Sequence, residues 1–391
     1  MKKNTNLKKG KTIQDKANTK FLTNKRILII SLGFIITIVL ISLTIWKILD
    51  VDFANFGKRV SHATSTRPGL LVFLILFLLI KPIIASVSAT VRLIEMGIKV
   101  KWYDTLSMCF TLIFLQNITP ANLVFDPFSI YWIKSHNVEN SRAYCIVATN
   151  GLIYQMIQML VTLPSFCFIA ADYQNYKEAD ATALSFYWLM VVGFALDWFI
   201  LGFFFLTSFS SHFTYVLSLS FNNVKKLLHL QYHTNEEVKQ KYLREQKAKK
   251  ESIEMIKHWK YTIIISLIFF VGEIWTYGAM YVSLQWIAPD NVGLPFWGIF
   301  NCANVAVTAC KMFPIPGSQM ALDVALKETI LISGHVNNQL QPDETEPLVK
   351  DSILVFRMFS AYIPTLLGIP AFGFLCYLQF KFIKKTKKAV A

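Results

Sequence analysis

The sequence predicts an all-α, polytopic helical membrane protein with about six full spans and two broken or re-entrant helical hairpins. Three observations carry that reading. Only 16% of the 391 residues are charged, against about 25% in a soluble domain, and 54% are hydrophobic. The mean hydropathy is +0.44, and several apolar runs reach the roughly 20 residues that cross a bilayer as a helix. Two further apolar stretches are interrupted by Pro-bearing segments at membrane depth. This composition excludes a soluble enzyme, a disordered chain and a fibre. It also excludes an outer-membrane barrel, whose strands alternate and leave no long apolar runs.

The plain spans are Ile27–Leu49, Gly69–Thr90, Ala143–Ala171, Leu184–Ser208 and Tyr261–Ala288. A sixth, Ser352–Phe380, carries Pro364, Gly368 and Pro370 and is expected to kink. The N-terminal run is too long for a cleavable signal peptide and follows a 26-residue polar lead, so it is read as a retained span. The six cysteines lie in or beside apolar segments without metal-ligand spacing, and are read as buried hydrophobes.

Charge sets the expected orientation. Residues 1–26 hold nine Lys/Arg against one acid, residues 209–260 ten against five, and residues 381–391 five Lys and no acid. The positive-inside rule places all three in the cytoplasm, so both termini are expected there in a multi-pass cell-membrane protein. Anionic inner-leaflet lipid would attract these segments, and no nucleic-acid partner is expected. The second span lands on Arg92, Lys99 and Lys101. The acidic loops Asp172–Ala183 and Asn337–Pro347 are expected outside. The chain thus divides into a basic tail (1–26), a transmembrane half (27–208), a basic cytoplasmic segment (209–260), a second transmembrane half (261–380) and a basic tail (381–391). Within 209–260 the pattern predicts a charged surface helix, with Val238, Tyr242 and Leu243 on one stripe and i, i+4 pairs Glu237–Lys241 and Lys247–Glu251.

The two interrupted stretches are Asp104–Ile133, broken at Gln116–Pro127, and Pro295–Ile332, broken at Phe313–Gln319. By the loop charges, the first starts and ends inside, the second outside. One hairpin entering from each face is the pattern of inverted repeats with discontinuous helices at a substrate site. Irregular backbone at that depth needs protein or a water-filled cavity around it.

Ionisable groups at membrane depth cost roughly 2.5–3.5 kcal/mol each. Seven stand out: Lys81, Asp126, Asp197, Glu273, Lys311, Asp323 and Arg357. They read either as helix-locking pairs or as the lining of a polar cavity that holds a charged substrate or relays protons. A helix restarting at Pro127 or Gly317 would offer unpaired N–H groups and a positive dipole end to an anion, with Ser318 beside it. Lys81, Lys311 and Arg357 would add charge for a phosphate, while Asp126 and Asp323 suit an amine or a proton. Pro120 and Pro316 mark the two breaks. No Walker A loop, GxGxxG, HExxH or GxSxG occurs, so no enzyme activity and no cofactor are expected.

Three segments carry a family resemblance. Asn117–Lys134 (NITPANLVFDPFSIYWIK) resembles the N-T/I-P…GGEP…Y pattern of the lysylphosphatidylglycerol synthase transmembrane family. Pro314–Asp323 (PIPGSQMALD) resembles its PxPGGxGxxE motif. Ser352–Pro370 resembles its R…Y-x-P-x-x-x-G helix through Arg357, Tyr362, Pro364 and Gly368. Order and spacing agree over about residues 70–378. Val124, Phe125, Ser318 and Met320 stand where the family has glycines, and Asp126 and Asp323 where it has glutamates. The resemblance implies a flippase-like lipid transporter with re-entrant helices. It also implies that a phospholipid headgroup binds between the broken hairpins, at residues that include Arg357, Tyr362, Pro120, Pro316, Gly317 and Ser318. The family's soluble aminoacyl-transfer domain is not found in this sequence, so the chain is not expected to make lysyl-lipid itself. Alternatives are an ion-coupled small-solute transporter, or a scaffold that holds a lipid-modifying enzyme through 209–260. A homo-oligomer or a lipid-enzyme partner fits either.

Overall fold

The computed structural model describes residues 24–119, 125–171, 173–179, 181–227, 234–289, 294–310, 321–333 and 342–390. Among these, all regular structure is helical. Helix α1 (Asn24–Leu43) runs into a π-turn, Thr44–Leu49, and is followed by α2 (Phe53–Thr66) and α3 (Pro68–Glu95). Next come α4 (Trp102–Ile118), α5 (Phe125–Ser135), α6 (Asn140–Ala171), α7 (Tyr173–Ala179) and α8 (Ala181–Phe209). Then follow α9 (Ser211–Leu227), α10 (Asn235–Lys257), α11 (Trp259–Ile287), α12 (Phe296–Cys310) and α13 (Ala321–Ile332). Helix α14 (Pro342–Arg357), a second π-turn (Met358–Tyr362) and α15 (Ile363–Val390) complete the described elements. Five helical stretches are long and apolar enough to cross a membrane, and a sixth if the bent pair α2–α3 is one span.

The predicted spans and both interrupted stretches coincide with these helices, with local differences. The stretch Asp172–Ala183, expected as a loop, contains α7. The expected loop Asn337–Pro347 gives its second half to α14, which starts ten residues before the predicted span. Acidic residues favour a helix N-terminus, and Glu346 bonds Lys350 one turn on at 3.0 Å and Lys327 of α13 at 3.2 Å. The helix after the first break starts at Phe125 rather than Pro127, which leaves the proline in the first turn, where its missing N–H costs nothing. Gly317 lies outside the described residues.

The first interrupted stretch closes on itself. Asp104, in the first turn of α4, accepts from Trp132 Nε1 at 3.2 Å and lies 3.0 Å from His136 Nε2, both at the far end of α5. The two arms therefore begin and end on one side. In the second stretch, Cys302 Sγ approaches Thr329 O at 3.7 Å, so α12 and α13 are also antiparallel.

Ile30 and Phe34 of α1, Met255 of α10, and Phe372 and Leu375 of α15 belong to one hydrophobic core with Leu93 and Met96 at the end of α3. Leu49, Ala288, Leu294 and Leu348 join a second core. There Arg67 caps the C-terminus of α11, donating to Ala288 O and Pro289 O at 2.8 Å each and to Gln285 O. A cation at that pole answers the helix dipole.

Segment 209–260 is docked more firmly than its charge suggested. Thr234 and Glu237 form a capping box at the start of α10: the Glu237 carboxylate accepts from Thr234 N–H, and the Thr234 hydroxyl accepts from Glu237 N–H. Val238 is buried and Tyr242 packs on Tyr215 of α9, but Leu243 is exposed, so the expected stripe is two residues rather than three. The side chains of Lys241, Lys247 and Glu251 lie outside the described set. Arg92, expected as a flanking charge, is 1% exposed. It donates to Glu95 (2.8 Å), Asn150 of α6 (3.3 Å), Met255 O (3.1 Å) and Thr262 of α11 (3.3 Å), and Glu95 also bonds His258.

His136 gives the hairpin closure a pH dependence. Burial opposes its charge, but the Asp104 carboxylate and the Trp132 carbonyl outweigh burial, and its pKa is raised. Its stabilising contribution is full below the unfolded value of about 6.5 and fades as pH rises through the folded value. Thermal unfolding in detergent should show the wild type losing stability from about pH 6 to 8, and Asp104→Asn losing less over the same range.

Candidate functional site

A π-turn sits in the helix that carries the third motif. In an α-helix, residues five apart lie roughly 140° apart around the axis. Over Met358–Tyr362 the hydrogen bonds instead span five residues, as Ile363 N–H reaches Met358 O. Residue 362 is thereby brought back over residue 357, and the Arg357 guanidinium stands 5.9 Å from the Tyr362 ring centroid. Such stacking favours the cation.

Asp323 of the second motif meets the same arginine. Its Oδ1 lies 3.0 Å from Arg357 Nε, with the carboxylate fully buried and the guanidinium 5% exposed. The contact is an ion pair rather than an aligned hydrogen bond, and neither Asp323 oxygen has an aligned donor among the described residues. The Tyr362 hydroxyl is likewise without one. Cys310, at the end of α12, feels both charges.

Asn117 brings in the first motif. Its Nδ2 donates to Thr365 Oγ1 at 2.8 Å and to Ala361 O, in the π-turn, at 3.4 Å. Its own carbonyl, one of the orphans at the end of α4, accepts from Thr37 of α1 at 3.3 Å. Gly368, the last motif position, packs on α4 so tightly that a Cβ there would meet Phe114 Cβ and lie 2.6 Å from Phe110 O. The three motifs, distant in sequence, thus converge on one turn of one helix.

The other predicted residues distribute as follows. Glu273 is buried on α11, its Oε2 without a hydrogen-bond partner among the described residues, and the Tyr154 ring of α6 packs edge-on against Phe269 one turn away at 5.3 Å. Asp197 of α8 is buried and accepts from Gln155 and Gln158 of α6 at 2.9 and 3.0 Å. Nearby, Thr162 and Ser165 bond Asn304 and Asn301 of α12 at 3.1 and 2.8 Å. Pro120, Lys311, Pro316, Gly317 and Ser318 lie outside the described residues. Lys81 and Asp126 are in described helices, but their side chains are not described. Sequence reasoning missed Gln155 and Gln158. Two glutamines three residues apart in an otherwise apolar span were the available signal, since polar side chains in a membrane face other helices.

The fold and its buried charges define a polytopic helical membrane protein with interrupted helices around an intramembrane ion pair. The chain belongs to the family described as the lysylphosphatidylglycerol synthase TM region, which matches residues 29–326. That match holds the first two motifs and stops before the third. Membership supports a membrane, lipid-related role. An uncharacterised protein of Mycoplasma genitalium, MG306, is 26% identical over 272 residues, 68% of this chain and 67% of that protein. Its homologue in Mycoplasma pneumoniae, also uncharacterised, is 24% identical over the same shares. No solved structure matches.

Two variants test this geometry. Asp323→Asn strips a buried cation of its carboxylate and should cost about 3–5 kcal/mol in detergent unfolding, much of it recovered when Arg357→Gln is added. Gly368→Ala should destabilise by about 1–3 kcal/mol through overpacking. The paired control Gly373→Ala, on the same helix with no atom within 4 Å of the new Cβ, should not.

Proposed function

We propose that this protein is a flippase-like lipid transporter that holds a phospholipid headgroup phosphate at Arg357. One observation carries the reading: a permanent cation, buried at a π-turn, is where all three family motifs meet. Arginine matches a phosphate in two-pronged geometry and stays charged at any working pH. Asp323 holds the guanidinium while no lipid is bound, and the phosphate takes its place in the loaded state. π-Turns cluster at functional sites because the loosened hydrogen-bond ladder lets side chains be re-aimed.

Lipid affinity comes to this reading from the family as well as from the site. The Lys/Arg excess of the three basic regions favours a cytoplasmic location for them and contact with anionic inner-leaflet lipid. Neither nucleotide-driven transport nor hydrolysis has a motif in its favour.

The test is translocation of a fluorescent-headgroup phospholipid in reconstituted vesicles, read by quenching from outside. Wild type should translocate, and Arg357→Gln should fall to the protein-free rate while unfolding cooperatively in detergent. A folded Arg357→Gln protein that translocates at the wild-type rate overturns the assignment.

A further inference from the structure

A lipid phosphate that takes the Arg357 guanidinium leaves Asp323 without its counter-charge. The Asp323 carboxylate is fully buried, and its Oδ1 stands 3.0 Å from Arg357 Nε. Neither of its oxygens has an aligned hydrogen-bond donor among the described residues. Arg357 is therefore what offsets this charge in the empty site.

The elements packed against α13 bring no replacement cation among the described side chains. Lys327, one turn on from Asp323, pairs with Glu346 at 3.2 Å and with Glu328 at 3.4 Å. On α14, Lys350 pairs with Glu346 at 3.0 Å and Asp351 with Arg59 at 2.7 Å, while the side chains of Asp343 and Glu344 are not described. On α8, Asp197 is held by Gln155 and Gln158, and Tyr187 packs on Tyr173 of α7. Lys177 and Glu178 of α7 are exposed, as is Lys47 of the first π-turn, which lies over the Trp46 ring. Helix α12 carries the thiols Cys302 and Cys310 and no charged residue, and Lys311 lies outside the described residues.

Charge arithmetic then decides what enters with the lipid. In the empty site Arg357 and Asp323 sum to zero. A phosphodiester brings one negative charge, so a loaded site with Asp323 still ionised would sum to minus one. An unmatched charge is costly at that depth. One proton on Asp323 restores zero, and the carboxyl then becomes an O–H donor that the phosphate can accept. The buried Tyr362 hydroxyl, without a hydrogen-bond partner in the empty site, offers a second donor.

We infer that Asp323 takes up one proton each time the phosphate of an anionic phospholipid occupies Arg357, so that lipid and proton cross together in the same direction. In the step, the Arg357–Asp323 ion pair is exchanged for an Arg357–phosphate pair. An O–H bond forms on Asp323 from a proton of the water on the entry side, and both changes reverse on the exit side. No oxidant or second reactant is needed. This inference rests on the phosphate reading for its ligand and goes beyond it in assigning what drives transport.

The test is calorimetric binding of dioctanoyl phosphatidylglycerol, whose headgroup has no charge besides the phosphate, to the full-length protein in detergent. Buffers of different ionisation enthalpy count the protons taken up. Wild type should take up about one proton per lipid, and its affinity should fall about tenfold per pH unit from about pH 6 to 8. Asp323→Asn, an isostere of the protonated carboxyl, should bind with no proton uptake and no pH slope. That variant is expected to be less stable, so its rescue is a second readout: the lipid should raise its unfolding temperature more than that of wild type. Asp104→Asn, which removes the partner of His136, should keep the wild-type slope. In vesicles, an imposed pH gradient should drive net lipid translocation by wild type away from the acidic side.

Binding that requires Arg357 but takes up no proton, or a slope that survives in Asp323→Asn, would overturn the coupling and leave the phosphate reading intact. A slope lost in Asp104→Asn would move the proton to the hairpin closure and overturn the coupling as well. Equal binding by wild type and Arg357→Gln would defeat the phosphate reading and this inference with it. Equal proton uptake with inorganic phosphate alone would overturn the lipid as the source of the phosphate.

Discussion

An arginine inside a membrane cannot escape its cost by giving up a proton, as a lysine or carboxyl can. Arg357 must therefore be met by something, and what meets it organises this half of the molecule. Asp323 supplies the counter-charge from α13, and the Tyr362 ring supplies a polarisable face from the same helix as the arginine. The second contact exists only because the helix is π-wound for one turn. That winding disturbs backbone carbonyls, and Asn117 and Thr365 close on one of them at Ala361. Charge neutralisation, helix winding and the seating of the first hairpin are thus one linked arrangement.

A second buried arginine plays the matching part beside the basic segment 209–260. Arg92 spreads its donors over α3, α6, α10 and α11, so the highly charged segment is tied to the membrane core at the point where α10 turns into α11. Among the described side chains, Asp197 and Glu273 are two further buried carboxyl groups, on α8 and α11. Among the described residues, Arg92, Arg357 and Asp197 each meet named partners at that depth. This is the expected economy of a medium in which unpartnered polar groups are expensive.

Much of the site was visible in the sequence, for reasons that differ residue by residue. Arg357, Asp323 and Glu273 stood out because a charge in an apolar run is costly enough to be rare. Tyr362 and Gly368 came from motif resemblance, and the structure supplies their physical reasons: a stacking position set by a π-turn and a helix contact too close for a Cβ. Arg92 was read as a flanking charge because one-dimensional charge counting cannot tell a snorkelling arginine from a buried one.

By itself the sequence determined the all-α membrane class, the spans and the basic segments, because hydropathy and charge act locally along the chain. Tertiary structure alone decided that Arg357 is held by Asp323 and that Asn117 docks on the π-turn 244 residues away. Partner choice among buried polar groups depends on helix packing and rotation, and one α-helical residue of rotation, about 100°, turns a lining side chain towards lipid. No local pattern fixes that angle. It is set by contacts such as Gly368 against Phe110 and Phe114, made between segments that only the folded chain brings together.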